Sequence, residues 1–209
     1  MGQDRSEKPL LRISARRANA GFTIMELMIV VSVAAVVLAL GAPNFTEFSR
    51  NNRLTAAAND LLGAAQLART EAIKRQRTVS LCSSDNIESA APTCSNGSFR
   101  GWIIFEDTNG NCVRDAAEPL PLRRSDVLSP TVHAAQDQHC SSFSPTGYVR
   151  GAAALPPIAH VLYCDERGLA LQAGTNQSAA RGLVLSKTGR ASVTRDSATI
   201  LGWGLACVG

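Results

Sequence analysis

Asp107, Asn109, Asn111, Asp115 and Glu118 stand at positions one, three, five, nine and twelve of a twelve-residue span. That is the spacing at which an EF-hand-like loop converges hard oxygens on calcium. Cys112 occupies the place where such a loop wants glycine, and Pro119 follows at once, so the exiting helix is missing. The same residues also suit a polar hairpin turn between Ile103/Ile104 and Leu120/Leu122. Calcium is the single metal the spacing suggests, and no other cofactor is expected.

Further along, "KTGRASVTR" gathers Lys187, Arg190 and Arg195. Clustered cations of this kind hold phosphates without reading bases, which makes the stretch a candidate nucleic-acid contact or, equally, a solvated turn. His133, His139 and His160 belong to no G-x-S-x-G elbow and no H-E-x-x-H pair, so no enzyme activity is expected. Trp102, Trp203, Phe105 and Tyr163 alternate with polar neighbours and read as sheet core.

Cys82, Cys94, Cys112, Cys140, Cys164 and Cys207 contain no C-x-x-C pair that would point to a zinc ribbon or a thioredoxin-like centre. All lie beyond a long apolar stretch, and their even number suggests disulfides in an oxidising compartment. Six cysteines allow fifteen pairings. Closing the short loop with Cys82–Cys94 leaves Cys112–Cys140 and Cys164–Cys207 as the working arrangement.

These residues need elements to position them, and the first is the apolar stretch itself. From Leu27 to Thr46 no charge interrupts the chain, a length able to cross a hydrocarbon core of about 30 Å as a helix. Arg5, Lys8, Arg12, Arg16 and Arg17 precede it against Asp4 and Glu7; without that segment the net charge falls from +4 to +1. The positive-inside rule places the N-terminus in the cytoplasm and the chain after Pro43 outside. A secretory signal has a shorter apolar core and a small-residue cleavage site.

After Pro43, Leu54, Ala58, Leu61, Leu62, Ala65, Ala68 and Ala72 recur at helical spacing, with Arg53, Asp60, Arg69, Lys74 and Arg75 elsewhere on the wheel. Two arrangements satisfy this pattern. One is a single helix from Phe22 to Arg77, loosened at Gly41 and Pro43, whose second half lays an apolar stripe on a folded domain. The other is an anchor, a linker and an unrelated soluble domain. Beyond it, short β-like runs at 78–82, 101–106, 120–124, 147–150, 160–164, 182–186 and 191–194 are separated by turn-rich stretches, with loops over 83–98 and 151–157. The class is α+β: a helix followed by an antiparallel sheet.

The start of the apolar stretch chooses between the two arrangements. "GFTIMEL" resembles the cleavage and methylation motif of type IV prepilins, with Gly21, Phe22 and Glu26 matching in type and spacing and Pro43 matching a proline common in pilin helices. The resemblance implies cleavage between Gly21 and Phe22 by a prepilin peptidase/N-methyltransferase, N-methylation of Phe22, and an assembly role for Glu26, the fifth mature residue. It implies a leader over 1–21, a transmembrane half-helix over 22–43, an amphipathic half over 44–77 and a periplasmic β-rich domain over 78–209. "GWIIFEDTNGNCVRDAAEPL", "FSPTGYVRG" and "LVLSKTGRASV" are similar to the GspH/FimT family of minor pseudopilins and minor pilins. That implies the pilin fold, an inner-membrane origin, and other pilins as partners in a helical filament of a type IV pilus or a type II secretion pseudopilus. In some FimT-like members a C-terminal G-R-x-R motif binds DNA for uptake; here Gly189 and Arg190 fit it, but Ser192 replaces the second arginine.

Overall fold

The computed structural model describes residues 21–119, 121–126, 128–151 and 156–207. Of the expected segments, residues 1–20 of the leader, Leu120 at the start of one β-run, residues 152–155 of the second loop and the last two residues of the chain lie outside them.

Thr23 opens the first helix, α1 (Ile24–Arg75): its Oγ1 accepts a hydrogen bond from Glu26 N at 3.2 Å, and its carbonyl accepts from Leu27 N. Thr-x-x-Glu is a capping box in sequence, which places a carboxylate beside the positive end of the helix. At the other end Lys74 and Arg75 lie in the last turn, and Gln76 at φ 55° breaks the helix two residues before the expected limit.

Residues 21–44 and 45–207 fall into separate compact units. In the second, α1 buries Leu54, Ala57, Ala58, Leu61, Ala64, Ala65, Ala68 and Ala72. Six of those eight are alanines, and small side chains let a helix approach a sheet closely. Two antiparallel sheets receive it. One has the order β3-β2-β1-β5-β6, from β1 (Val79–Ser83), β2 (Trp102–Glu106), β3 (Arg123–Arg124), β5 (Cys140–Phe143) and β6 (Val149–Arg150). The other has the order β4-β7-β8-β9, from β4 (His133–Gln136), β7 (His160–Cys164), β8 (Gln177–Leu185) and β9 (Ala191–Asp196). Val79, Leu81, Trp102, Ile104 and Phe143 of the first sheet share one core with Val161, Tyr163, Leu183 and Leu185 of the second and with the α1 face. Tyr163 Oη donates to Phe99 O at 2.9 Å, crossing from the second sheet to the β1–β2 loop.

Each sheet also has its outer face covered. Cys82, Ile103 and Phe105, with Cys140 of β5 beside them, lie under Ile87 and Cys94, while Leu162, Cys164 and Ala180 lie under Ile200, Trp203 and Cys207 of the C-terminal tail. Three disulfides stitch these covers down: Cys82–Cys94, Cys112–Cys140 and Cys164–Cys207, the working arrangement among the three that closing the shortest loop leaves open.

The expected β-runs each contain a strand, with corrections. β4 and β5 go unsignalled because "HAAQ" and "CSSF" carry small and polar residues with little strand character. β8 begins at Gln177, five residues before the expected run, its first half built from Ser178, Ala179 and Ala180. The tail forms a short helix, α2 (Ser197–Leu201), capped by Asp196, whose side chain accepts from Thr199 N. Trp203 then lies flat on β8 and stacks on His160 with ring centroids 4.6 Å apart. A Cβ at Gly182 would stand 2.3 Å from Trp203 Cη2. Gly182→Ala is therefore expected to lower stability by about 1–3 kcal/mol through overpacking. In urea unfolding, Gly182→Ala added to a Trp203→Ala background should be nearly neutral, because the clashing ring is gone; equal losses in both backgrounds would place the effect elsewhere.

Candidate functional site

Among the described residues the first half of α1 presents an apolar surface broken by one acid. Phe22, Ile24, Met25, Leu27, Met28, Ile29, Val30, Val31, Val33, Val36, Val37 and Leu38 are all more than half exposed. Glu26 projects from the first turn of that surface, and no ion pair engages it among the described residues. A carboxylate on a helix meant for lipid is expensive and usually faces a partner. Neither straight part of α1 is by itself both long and apolar enough to cross a membrane; the parts Ile24–Ala39 and Asn44–Arg75 qualify by length and composition only when taken together.

The calcium-spaced residues do come together, as a closed turn. Asp107 is fully buried, its Oδ1 accepting from Gly110 N (2.7 Å) and Asn111 N (3.1 Å) and its Oδ2 from Cys112 N (3.0 Å) and Ser80 Oγ (2.6 Å). Glu118 accepts from Thr108 N and Asp115 N, and Asp115 accepts from the side-chain amides of Asn109 and Asn111. The oxygens that calcium would need already hold N–H and O–H donors. Among the described residues, no group of three or more His, Cys, Asp or Glu is placed to hold a metal ion.

The three bases are not one cluster. Lys187 and Arg190 are exposed on the β8–β9 turn, where Gly189 adopts φ 77° and donates its N–H to Ser186 O. A Cβ at Gly189 would stand 2.2 Å from Gly147 O, so two turns meet there, and Arg69 Nε from α1 donates to that same Gly147 carbonyl at 3.2 Å. Arg195 lies five residues along β9, roughly 16 Å away at the usual strand rise. It donates to Gln172 Oε1, and its Nε is buried without a partner.

Sequence reasoning missed Arg181. It is 4% exposed in β8, donating from Nε to Thr55 Oγ1 of α1 (3.1 Å) and from one terminal nitrogen to the carbonyls of Ala179 and Ala180. Burial, with Arg195 and Arg167 adding repulsion and Asp165 opposing, pushes its pKa down to about 10. Nothing in the run "SAARG" signals this, since an arginine inside a strand reads as an exposed position. Two of the three histidines sit in structural contacts, His139 beside Gly97 O and His160 with Asp137 and Trp203, and His133 opens β4 opposite Cys164.

A capped apolar helix bearing one acid, followed by an alanine-faced segment on antiparallel sheets, defines a type IV pilin-like filament subunit. Comparison with known proteins agrees. The family described as type II transport protein GspH matches residues 57–189, and the prokaryotic N-terminal methylation motif matches residues 16–42. The chain belongs to the GspH family, a family of structural subunits of pili and pseudopili. Two crystal structures of the type IV minor pilin FimU from Pseudomonas aeruginosa (strain PAO1) are similar. In space group P21 the identity is 20% and the TM-score 0.45, covering 72% of this chain and 94% of that one. In space group P65 the identity is 19% and the TM-score 0.40, covering 69% and 94%. Curated proteins yield no match.

If the turn at 107–118 is closed by its own donors, Asp107→Asn leaves a buried N–H without an acceptor and lowers stability by roughly 1–3 kcal/mol. Thermal melts of the full-length protein should be unmoved by millimolar calcium or by EDTA. A calcium-dependent rise in Tm would show that the turn opens to take the ion.

Proposed function

We propose that the chain is made as a prepilin, cut between Gly21 and Phe22 on the cytoplasmic side of the inner membrane, N-methylated on Phe22, and drawn into a filament by its apolar half-helix. Family membership carries the coarser statement: a membrane-anchored N-terminal helix, a periplasmic domain, and assembly with other pilins after peptidase processing. The observation that supports the finer one is Glu26, an acid without an ion-pair partner among the described residues on an otherwise apolar exposed helix. The amino group of Phe22 on a neighbouring subunit supplies the opposite charge, and pairing inside a water-free bundle offsets the desolvation of both groups.

The system is proposed to be a type IV pilus, with the protein as a low-copy subunit near the tip, because three disulfides fasten long loops over its outer faces. The family description favours a second setting, the type II secretion pseudopilus. Deletion in the source organism separates them: loss of surface pili with normal exoprotein release supports the first, and the converse supports the second. DNA contact by Lys187, Arg190 and Arg195 is not carried forward, since Arg195 is engaged with Gln172 away from the turn.

Two measurements test the processing and pairing. Mass spectrometry of membrane-extracted protein should find methylated Phe22 as the mature N-terminus; another terminus defeats the pilin processing. Glu26→Ala should insert normally but enter filaments at least tenfold less. Glu26→Gln keeps the capping-box geometry and removes the charge, so it should fail equally; normal incorporation of the glutamine variant would reduce Glu26 to a helix cap.

A further inference from the structure

Four of the six cysteines meet at one rung of the first sheet. Cys82 of β1 and Cys140 of β5 are direct antiparallel partners, and at the neighbouring rung Ser83 N donates to His139 O at 2.9 Å. Hydrogen-bonded and non-bonded rungs alternate, so Cys82 and Cys140 form a non-bonded pair, with Cα atoms about 4.5 Å apart and side chains on the same face. That separation is within the roughly 4.4–6.8 Å a disulfide spans. Each cysteine is bonded elsewhere instead, Cys82 to Cys94 with Cα atoms 5.6 Å apart and Cys140 to Cys112 with Cα atoms 6.0 Å apart. The two bonds therefore lie side by side. All four residues also line one cavity of about 170 Å³, walled further by Asn96, Val113, His139 and Pro156. Cys82 is fully buried and Cys112 nearly so, whereas Cys94 and Cys140 are partly exposed.

We propose that this cavity is a thiol-exchange site, at which a low-molecular-weight monothiol reacts with Cys94 and the strand pair Cys82–Cys140 becomes the new disulfide. The incoming thiolate attacks Cys94 Sγ, forming a mixed disulfide and breaking the Cys82–Cys94 bond, whose electron pair leaves on Cys82 Sγ. The Cys82 thiolate faces Cys140 across the rung, attacks its sulfur and expels Cys112 as a thiolate, which takes a proton from water. Sulfur oxidation balances without another reagent: two protein disulfides and one thiol become one protein disulfide, one mixed disulfide and one protein thiol. Neither β1 nor β5 has to shift. The exchange unfastens two outer segments at once, the β1–β2 loop through Cys94 and the turn at 107–118 through Cys112, while the strands beneath gain a covalent rung. Attack at Cys140 has no such relay, because it frees Cys112 rather than Cys82. The inference is independent of the filament in which the protein serves.

The test uses the full-length oxidised protein in detergent, with reduced glutathione as the monothiol. After acid quenching and alkylation, digestion with trypsin plus a glutamate-specific protease separates Cys82 from Cys94 at Glu88. The expected products are glutathione on Cys94, a Cys82–Cys140 cross-linked peptide and alkylated Cys112. A product set without the Cys82–Cys140 peptide, including glutathione on Cys140 beside an intact Cys82–Cys94 bond, overturns the proposal. As a second reading, the Cys94→Ser/Cys112→Ser double variant, given oxidised glutathione as the two-electron oxidant, should form Cys82–Cys140 with release of reduced glutathione, leaving alkylatable thiol at least tenfold below a reduced control. Two free thiols in the folded variant overturn it as well, and if the variant does not fold, the unaltered protein decides.

Discussion

The contact between the alanine face of α1 and the two sheets governs the arrangement of residues 45–207. Ala57, Ala58, Ala64, Ala65, Ala68 and Ala72 bring the helix backbone close, and Leu54 and Leu61 fill the space beside them. A helix packed this closely excludes water from the inner face of both sheets, so Val79, Leu81, Trp102 and Ile104 on one side and Val161, Tyr163 and Leu183 on the other form one core. It also leaves little room for polar groups, and two side chains of α1 meet partners from the sheets there. Arg181 reaches Thr55, and Asp60 holds Arg123, whose guanidinium lies 5.5 Å from the Trp102 ring. The Asp60–Arg123 pair is half-exposed, and desolvation of Asp60 pushes its carboxyl pKa up against the pull of Arg123, so its part is positional more than stabilising.

With inner faces closed by the helix, the outer faces are closed by segments that lack regular structure of any length. Such segments bury too little apolar area to hold themselves in place. Covalent bonds and a buried carboxylate take over that work. Asp107 organises the turn at 107–118 by accepting from three backbone N–H groups, and disulfides then pin that turn, the β1–β2 loop and the C-terminal tail to the strands beneath.

The sequence disclosed the helix and its two characters readily, because charge-free length and small-residue periodicity are local signals. The Gly-Phe-x-x-x-Glu start is equally local. β1, β2, β7 and β9 were legible from β-branched and aromatic residues. β4, β5 and the first half of β8 were hidden because they are rich in alanine, serine and other polar residues, with Phe143 the one large apolar side chain in β4 and β5, so neither β-branched content nor alternation marks them. Calcium-like spacing brought the same oxygens together, but onto backbone and side-chain donors. Position in the chain tells which oxygens can converge, but only the fold tells whether they converge on an ion or on the backbone. The separation of Arg195 from Arg190 was likewise a matter of strand geometry, invisible to a cluster read along the chain.

The C-terminal cover has a consequence for how the molecule is made. Ile200, Trp203 and Cys207 seal Leu162, Ala180 and Cys164, yet they are synthesised after every strand they cover. Until they emerge, the outer face of β7 and β8 is open to water or to another chain's strand. A polypeptide held at its N-terminal end by an apolar helix cannot finish folding while that covering segment is still threading through a translocation channel. Vectorial delivery and closure of the domain are thereby coupled: the domain completes only once the chain through Cys207 has crossed, and the Cys164–Cys207 disulfide marks that arrival.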